Sequence, residues 1–199
     1  MAYQIRKAAH TDRWRLERLI ARSARALGAR DYRPEQIEAA LIAAFGVDTQ
    51  LIDDGTYFVA ELDGKIVGSG GWSHRRTLFG GDRQVERDAG ELDPTVDAAK
   101  IRAFFVDPDH ARQGIGRALL VRCETEAQAQ GFRRFELMGT TTGIPFYQAL
   151  GYRCGDMVRY SVAANVTIEF VPMWKEIGSW HALACAHPGG HRTARINPK

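Results

Sequence analysis

The 199-residue sequence is short of the features that mark several large classes. It has no apolar run near the ~20 residues that cross a bilayer. Its N-terminus has no basic-then-apolar secretory pattern. A cytoplasmic protein with no membrane partner is the expectation. Cysteine is scarce: Cys123, Cys154 and Cys185 are the whole set, and an odd count at wide spacing is not a disulfide framework. Charge excess is small, a formal +3, which does not argue for a nucleic-acid partner. Arg13, Arg15, Arg18, Arg22 and Arg25 cluster early, but they share their stretch with a helical apolar pattern, so they read as a solvated helix face. His181, Cys185, His187 and His191 have zinc-ligand chemistry. Their spacing matches no standard module and Pro188-Gly189-Gly190 loosens it, so no metal is expected. Internal repeats are absent.

What is present reads as one domain. Hydrophobic content is 45% and charged content 26%, ordinary for a globular chain long enough to bury a full core. We read residues 1–177 as the domain and 178–199, rich in Gly, Pro, His and Arg, as a mobile tail. Tyr3–Ala8 is a first strand. Thr11 or Asp12 caps a helix carrying Leu16, Leu19, Ile20 and Leu27, with Gly28 at its C′ position. Pro34 opens a second helix that Gly46 stops. Thr56–Leu62 and Lys65–His74 form a hairpin around Asp63-Gly64. Residues 75–99 lack a period, and a connection this long points to a loop near a site. Lys100–Val106 is a central strand, followed by a helix ending at Gly131. Phe132–Thr140, a short helix with Pro145 in its first turn, and a last strand pair complete a mixed α/β order.

The informative stretch is "VDPDHARQGIGRALLVRCE", Val106 to Glu124. Two glycines stand where a helix begins. A helix N-terminus carries unpaired N–H groups and positive partial charge, and glycines there let a phosphate reach the backbone. Gly114 and Gly116 suit that role, with Arg112 and Arg117 adding charge at the rim and Gln113 a further donor. The P-loop pattern fails because no Lys-Ser or Lys-Thr follows. The Rossmann pattern fails because its third glycine is missing and the loop after Val106 is too long.

A third competing design is the pyrophosphate loop of acetyl-CoA-dependent N-acetyltransferases. "FFVDPDHARQGIGRALL" resembles the central motif of the GCN5-related N-acetyltransferase (GNAT) superfamily: a strand ending in Val, a V-x-P turn, then [QR]-x-x-G-x-[GA] at the start of a long helix. The first [QR] position departs from the motif, holding Ala111 with Arg112 beside it. "PFYQALGY" resembles the family's late F-Y-x-x-x-G-[FY] segment, and the hairpin resembles its second and third strands. The order of elements matches over about residues 3–176.

The resemblance implies a mostly antiparallel mixed sheet of six to seven strands flanked by about four helices and splayed between strands 4 and 5. It implies acetyl-CoA as co-substrate, bound through Phe104, Phe105, Val106, Arg112, Gln113, Gly114, Ile115, Gly116, Arg117 and Tyr147. Phe104 and Val106 would pair with the pantetheine arm like a strand, and the Val106 N–H would polarise the thioester carbonyl. Tyr147 would donate the proton to the departing sulfur. Trp72, His74 and Arg102 would face the acceptor, a primary amine on a small molecule or peptide that attacks directly in a ternary complex. Alternation along the strand puts Lys100, Arg102, Phe104 and Val106 on one face. Arginine is a poor base, so Arg102 is expected to bind an anionic group on the acceptor. His74 and Glu136 both stand as candidates to relay the amine proton. A second reading is a non-catalytic acyl-CoA-binding module of the same fold; a third, weaker one is DNA binding through the first helix. Acceptor identity, acyl-chain preference and oligomeric state are not set by the sequence, a homodimer being the commonest assembly.

Overall fold

The computed structural model describes residues 3–84 and 88–178. Strand β1 (Gln4–Lys7) leads through a short 3-10 turn into helix α1 (Arg13–Gly28), followed by α2 (Pro34–Ala43) and α3 (Thr49–Asp53). Strands β2 (Tyr57–Leu62) and β3 (Lys65–Ser73) form the hairpin, with Asp63 and Gly64 both at positive φ as a tight turn requires. Strand β4 (Ala99–Val106), helix α4 (Ile115–Ala129), strand β5 (Arg134–Thr140) and helix α5 (Ile144–Gln148) follow. Strands β6 (Arg153–Cys154), β7 (Val158–Ala163) and β8 (Val166–Glu176) close the described fold.

The strands make one sheet in the order β1-β2-β3-β4-β5-β8-β6, with β7 also on β8. Strands β6 and β7 lie along the same edge of β8, so eight segments occupy seven positions. Among the described strands the only parallel pair is β4 with β5, and it joins at just two places, Ala99 with Phe135 and Lys100 with Glu136. Beyond them the partners separate, although β4 runs on to Val106 and β5 to Thr140. β5 stays paired to β8 along its length. The expected splay is therefore present, with its apex at Lys100 and Glu136.

Two helical layers cover the sheet. On one face, Ile115, Leu119, Leu120 and Cys123 of α4 pack on Phe58, Ile101, Phe135 and Leu137. On the other, Leu16, Leu19 and Ile20 of α1 pack on Tyr57 and Val59, while Ile37 and Ala40 of α2 pack on Ile168 and Phe170. Gly68 lets α4 approach β3: a Cβ there would lie 2.6 Å from Ile115 and 3.2 Å from Leu119.

Several expectations change. The register between β3 and β4 shifts between Ser69 and Gly71, and Ala103 takes φ +57°. This β-bulge inserts one residue and reverses the alternation. Ile101 and Phe104 thus share the α4 face while Ala103 and Phe105 turn to the α1 face. Lys100, Arg102, Phe104 and Val106 do not point one way. Gly28 is the last residue of α1 rather than a left-handed C′ cap; α1 ends with Ala29 still helical at φ −59°. Helix α3 stands in the stretch between Gly46 and Thr56, to which the sequence pattern assigns no element; the described residues hold five α-helices. The tail beyond Gly178, with its four candidate zinc ligands, lies outside the described residues.

Candidate functional site

The turn after β4 is built by Asp107. Its carboxylate accepts from the Asp109 N–H at 3.0 Å and from the Arg22 guanidinium at 2.9 Å, and Arg22 also reaches Asp109 at 2.6 Å. Helix α1 is thereby tied to the loop that enters α4. In that loop Arg112 has φ +65° and Gly114, the N-cap of α4, has φ +84°. Left-handed residues of this kind turn successive N–H groups toward one side, the arrangement that binds anions. A Cβ on Gly114 would meet nothing within 4 Å, so space in front of the helix mouth is open. Arg112, Gln113 and Arg117 are exposed around it and Ile115 is buried in the core. Gly116 has a different reason to lack a side chain: a Cβ would lie 3.2 Å from the Phe146 ring. Among the described residues no His, Cys, Asp and Glu cluster could hold a metal ion, and no helix is long and apolar enough to cross a membrane.

The splay runs toward this helix mouth. The Asp107 N–H donates to Val67 O on β3 at 2.9 Å. Antiparallel alternation then turns the preceding N–H, that of Val106, away from β3. It donates instead to Ser23 Oγ of α1 at 3.3 Å. Ser23 is buried, and nothing in the sequence pattern singles it out, because its partner is 83 residues away.

Tyr147 arrives from α5 on the α4 face. Its ring centroid is 6.3 Å from Phe104, 4.9 Å from Phe146 and 5.7 Å from Tyr152. Burial pushes its phenol well above the ordinary range, and the nearby Cys123 thiol adds to the shift. Cys123 is itself held protonated by burial. Tyr147 therefore keeps its proton throughout the neutral range.

The acceptor-side candidates separate. The Arg102 guanidinium, 1% exposed, lies 2.5 Å from the equally buried Asp48 carboxylate and donates to Gly80 O at 2.7 Å. Lys100 and Glu136 pair at 2.6 Å at the apex of the splay, with Glu136 45% exposed. His74 sits 3.5 Å from Asp54, whose carboxyl is held low by hydrogen bonds from Arg75. Trp72 is fully buried in the α4-side core, 6.0 Å from Phe132. The structure thus brings Phe104, Val106, the α4 mouth and Tyr147 together, puts Arg102 in a buried ion pair, and seats Trp72 in the core.

Comparison with known proteins finds the same fold elsewhere. The model of the acetyltransferase (GNAT) family matches residues 15–152, from α1 through the segment after α5. No curated protein sequence matches. Among solved structures, a GCN5-related N-acetyltransferase from Rhodopseudomonas palustris superposes with TM-score 0.66 at 20% identity, over 89% of this chain and 97% of that one. PaiA N-acetyltransferase from Thermoplasma acidophilum, in complex with coenzyme A, gives 0.61 at 16% identity, over 89% and 100%. The ribosomal-protein-S18-alanine N-acetyltransferase of Escherichia coli gives 0.57 at 18% identity, over 93% and 100%. At such identities the structures establish a shared fold.

Proposed function

The chain belongs to the acetyltransferase (GNAT) family, and from that premise we propose that it moves the acetyl group of acetyl-CoA to a primary amine by direct attack in a ternary complex. The observation that carries this reading is the pairing of β4 and β5 at two residues only, with the mouth of α4 at the open end. When bound, acetyl-CoA supplies an activated thioester; the residues supply placement and proton handling.

The N–H groups at the start of α4, with Arg112 and Arg117 at the rim, hold the diphosphate. The free edge of β4 offers Val106 and Phe104 to the pantetheine arm as a neighbouring strand would. The thioester carbonyl accepts from this edge, where a fixed N–H opposes negative charge as it develops. Tyr147, kept neutral by burial, gives its proton to the departing sulfur. The acceptor comes from the α1–α2 face. Its amine must lose a proton before attack, since an ammonium with pKa ~10.4 has no lone pair. Glu136 and His74, the two candidates to relay that proton, both stand toward the apex end of β4. Arg102 holds the surrounding loops to β4 through Asp48 and Gly80.

The test is turnover of acetyl-CoA with a panel of primary amines, read as free thiol. Amine-dependent thiol release that falls in Tyr147→Phe is the expected result. Failure of coenzyme A to bind at millimolar concentration overturns the reading.

A further inference from the structure

On the acceptor face, the walls of the splay are aromatic. Phe45, just past α2, has its ring 5.9 Å from Phe105 of β4 and 6.2 Å from Phe170 of β8. Strand β5 lies between those two strands, so Phe45 reaches across the splay. Phe79, from the long loop before β4, stands 5.4 Å from Phe170 and 5.1 Å from Tyr160 of β7. Met138 of β5 packs into the same cluster. Phe170 is buried, whereas Phe45, Phe79, Phe105, Met138 and Tyr160 all keep partial exposure. A floor with rings around it therefore still meets solvent. A groove of about 290 Å³ between α1 and α2 shares Phe45 and Leu41 as walls.

Several charges that border this surface have partners among the described residues. Arg102 is paired with Asp48 and Gly80 O, and Lys100 with Glu136. The Arg102 contacts also explain how the wall is held: Gly80 is next to Phe79, and Asp48 lies three residues from Phe45 along the chain. A carboxylate or phosphate brought against these rings would lose its hydration, and Arg102 and Lys100 already hold carboxylate partners. A flat apolar group would gain edge-to-face contacts, and ring faces attract an arriving ammonium.

We infer that the acceptor is a primary amine bearing an aromatic or similarly flat apolar group, lodged against Phe45, Phe79 and Tyr160 with its nitrogen directed into the splay, and bearing no anionic group. This rests on the acetyltransferase reading and names its substrate class.

The experiment uses the full chain and three amines: 2-phenylethylamine, propylamine without the ring, and phenylalanine with an added carboxylate. Coenzyme A binding is first measured by calorimetry, so that loss of the general reading shows separately. In turnover with acetyl-CoA, kcat/KM for 2-phenylethylamine should exceed that of either comparator by at least about tenfold, the scale on which an apolar pocket discriminates. Phe79→Ala should raise KM for 2-phenylethylamine by about tenfold and leave the Kd for coenzyme A unchanged. Tyr160→Ala, on the outer hairpin, serves the same purpose should Phe79→Ala fail to fold. If coenzyme A binds without turnover, 2-phenylethylamine should still bind the loaded protein by calorimetry and phenylalanine should not. Equal or better use of phenylalanine, no effect of the ring, or no binding of 2-phenylethylamine overturns the inference.

Discussion

Ser23 of α1 and Val106 of β4, 83 residues apart, meet through one hydrogen bond in which the Val106 N–H donates to Ser23 Oγ at 3.3 Å. That N–H lies on the open edge of β4, where a pantetheine arm would pair. In the free protein a side chain occupies the position of the missing strand.

Ser23→Ala should therefore have opposite effects on the two states. The free protein loses a hydrogen bond at a buried site, at about 1 kcal/mol, and its melting temperature falls. Binding of coenzyme A no longer has to displace Ser23, so the same energy returns as roughly fivefold tighter binding. Calorimetry with coenzyme A decides the point: an unchanged Kd would mean that the arm does not use Val106.

The two glycines at the α4 mouth should fail differently. Gly114→Ala places a side chain at φ +84° in open space. Its cost is left-handed strain of about 1–2 kcal/mol together with a methyl group in the anion's path, so the Kd for coenzyme A should rise. Gly116→Ala instead presses on the Phe146 ring from 3.2 Å. Phe146 in turn packs on Tyr147, so kcat should fall more than coenzyme A affinity. Paired titration and steady-state kinetics on both variants separate the two effects.

Tyr147→Phe should lower kcat by about 10²-fold or more if the phenol is the proton donor, with coenzyme A binding retained. Tyr57, Tyr147 and Tyr152 all have phenols raised by burial, Tyr152 also by the Glu124 carboxylate. In the unfolded chain these phenols ionise near pH ~10, before the folded ones do. Stability from this source is complete below pH ~10 and is lost as pH rises beyond it. At the acid end, Asp12 is held low chiefly by its hydrogen bonds from Arg6 and Asp54 by those from Arg75. Their contribution is present above pH ~4 and declines as pH falls further. Urea unfolding across pH should show both limbs, the alkaline one reduced in Tyr147→Phe.

Arg102→Met should act on the fold. It removes the guanidinium that faces the buried Asp48 carboxylate, at about 3–5 kcal/mol. Adding Asp48→Asn should recover part of that loss, since the buried carboxylate is then neutral. Urea midpoints of the single and double variants check this. Equal stability of the single variant and the wild type would contradict the buried pair.

Much of the frame was legible because its signals are local. Asp63-Gly64 demanded a tight turn, Pro145 opened a short helix, and the glycines at 114 and 116 marked a helix mouth. The splay followed from the family resemblance of "FFVDPDHARQGIGRALL". The role of Gly116 was read only in part, because Phe146 reaches it from 30 positions further along the chain. Strict alternation placed Arg102 beside Val106, and the bulge at Ala103 undid that, since one inserted residue moves every later side chain to the opposite face.

The sequence alone determined the order of elements, the tight turns and the anion-seeking entrance to α4, because these depend on residues within a few positions of one another. Tertiary structure decided that Ser23 covers the Val106 N–H, that Asp48 neutralises Arg102, and that five elements bring aromatic rings to one side of the splay. Those contacts depend on a register shift and on chain crossings, and local residue pattern carries no information about either.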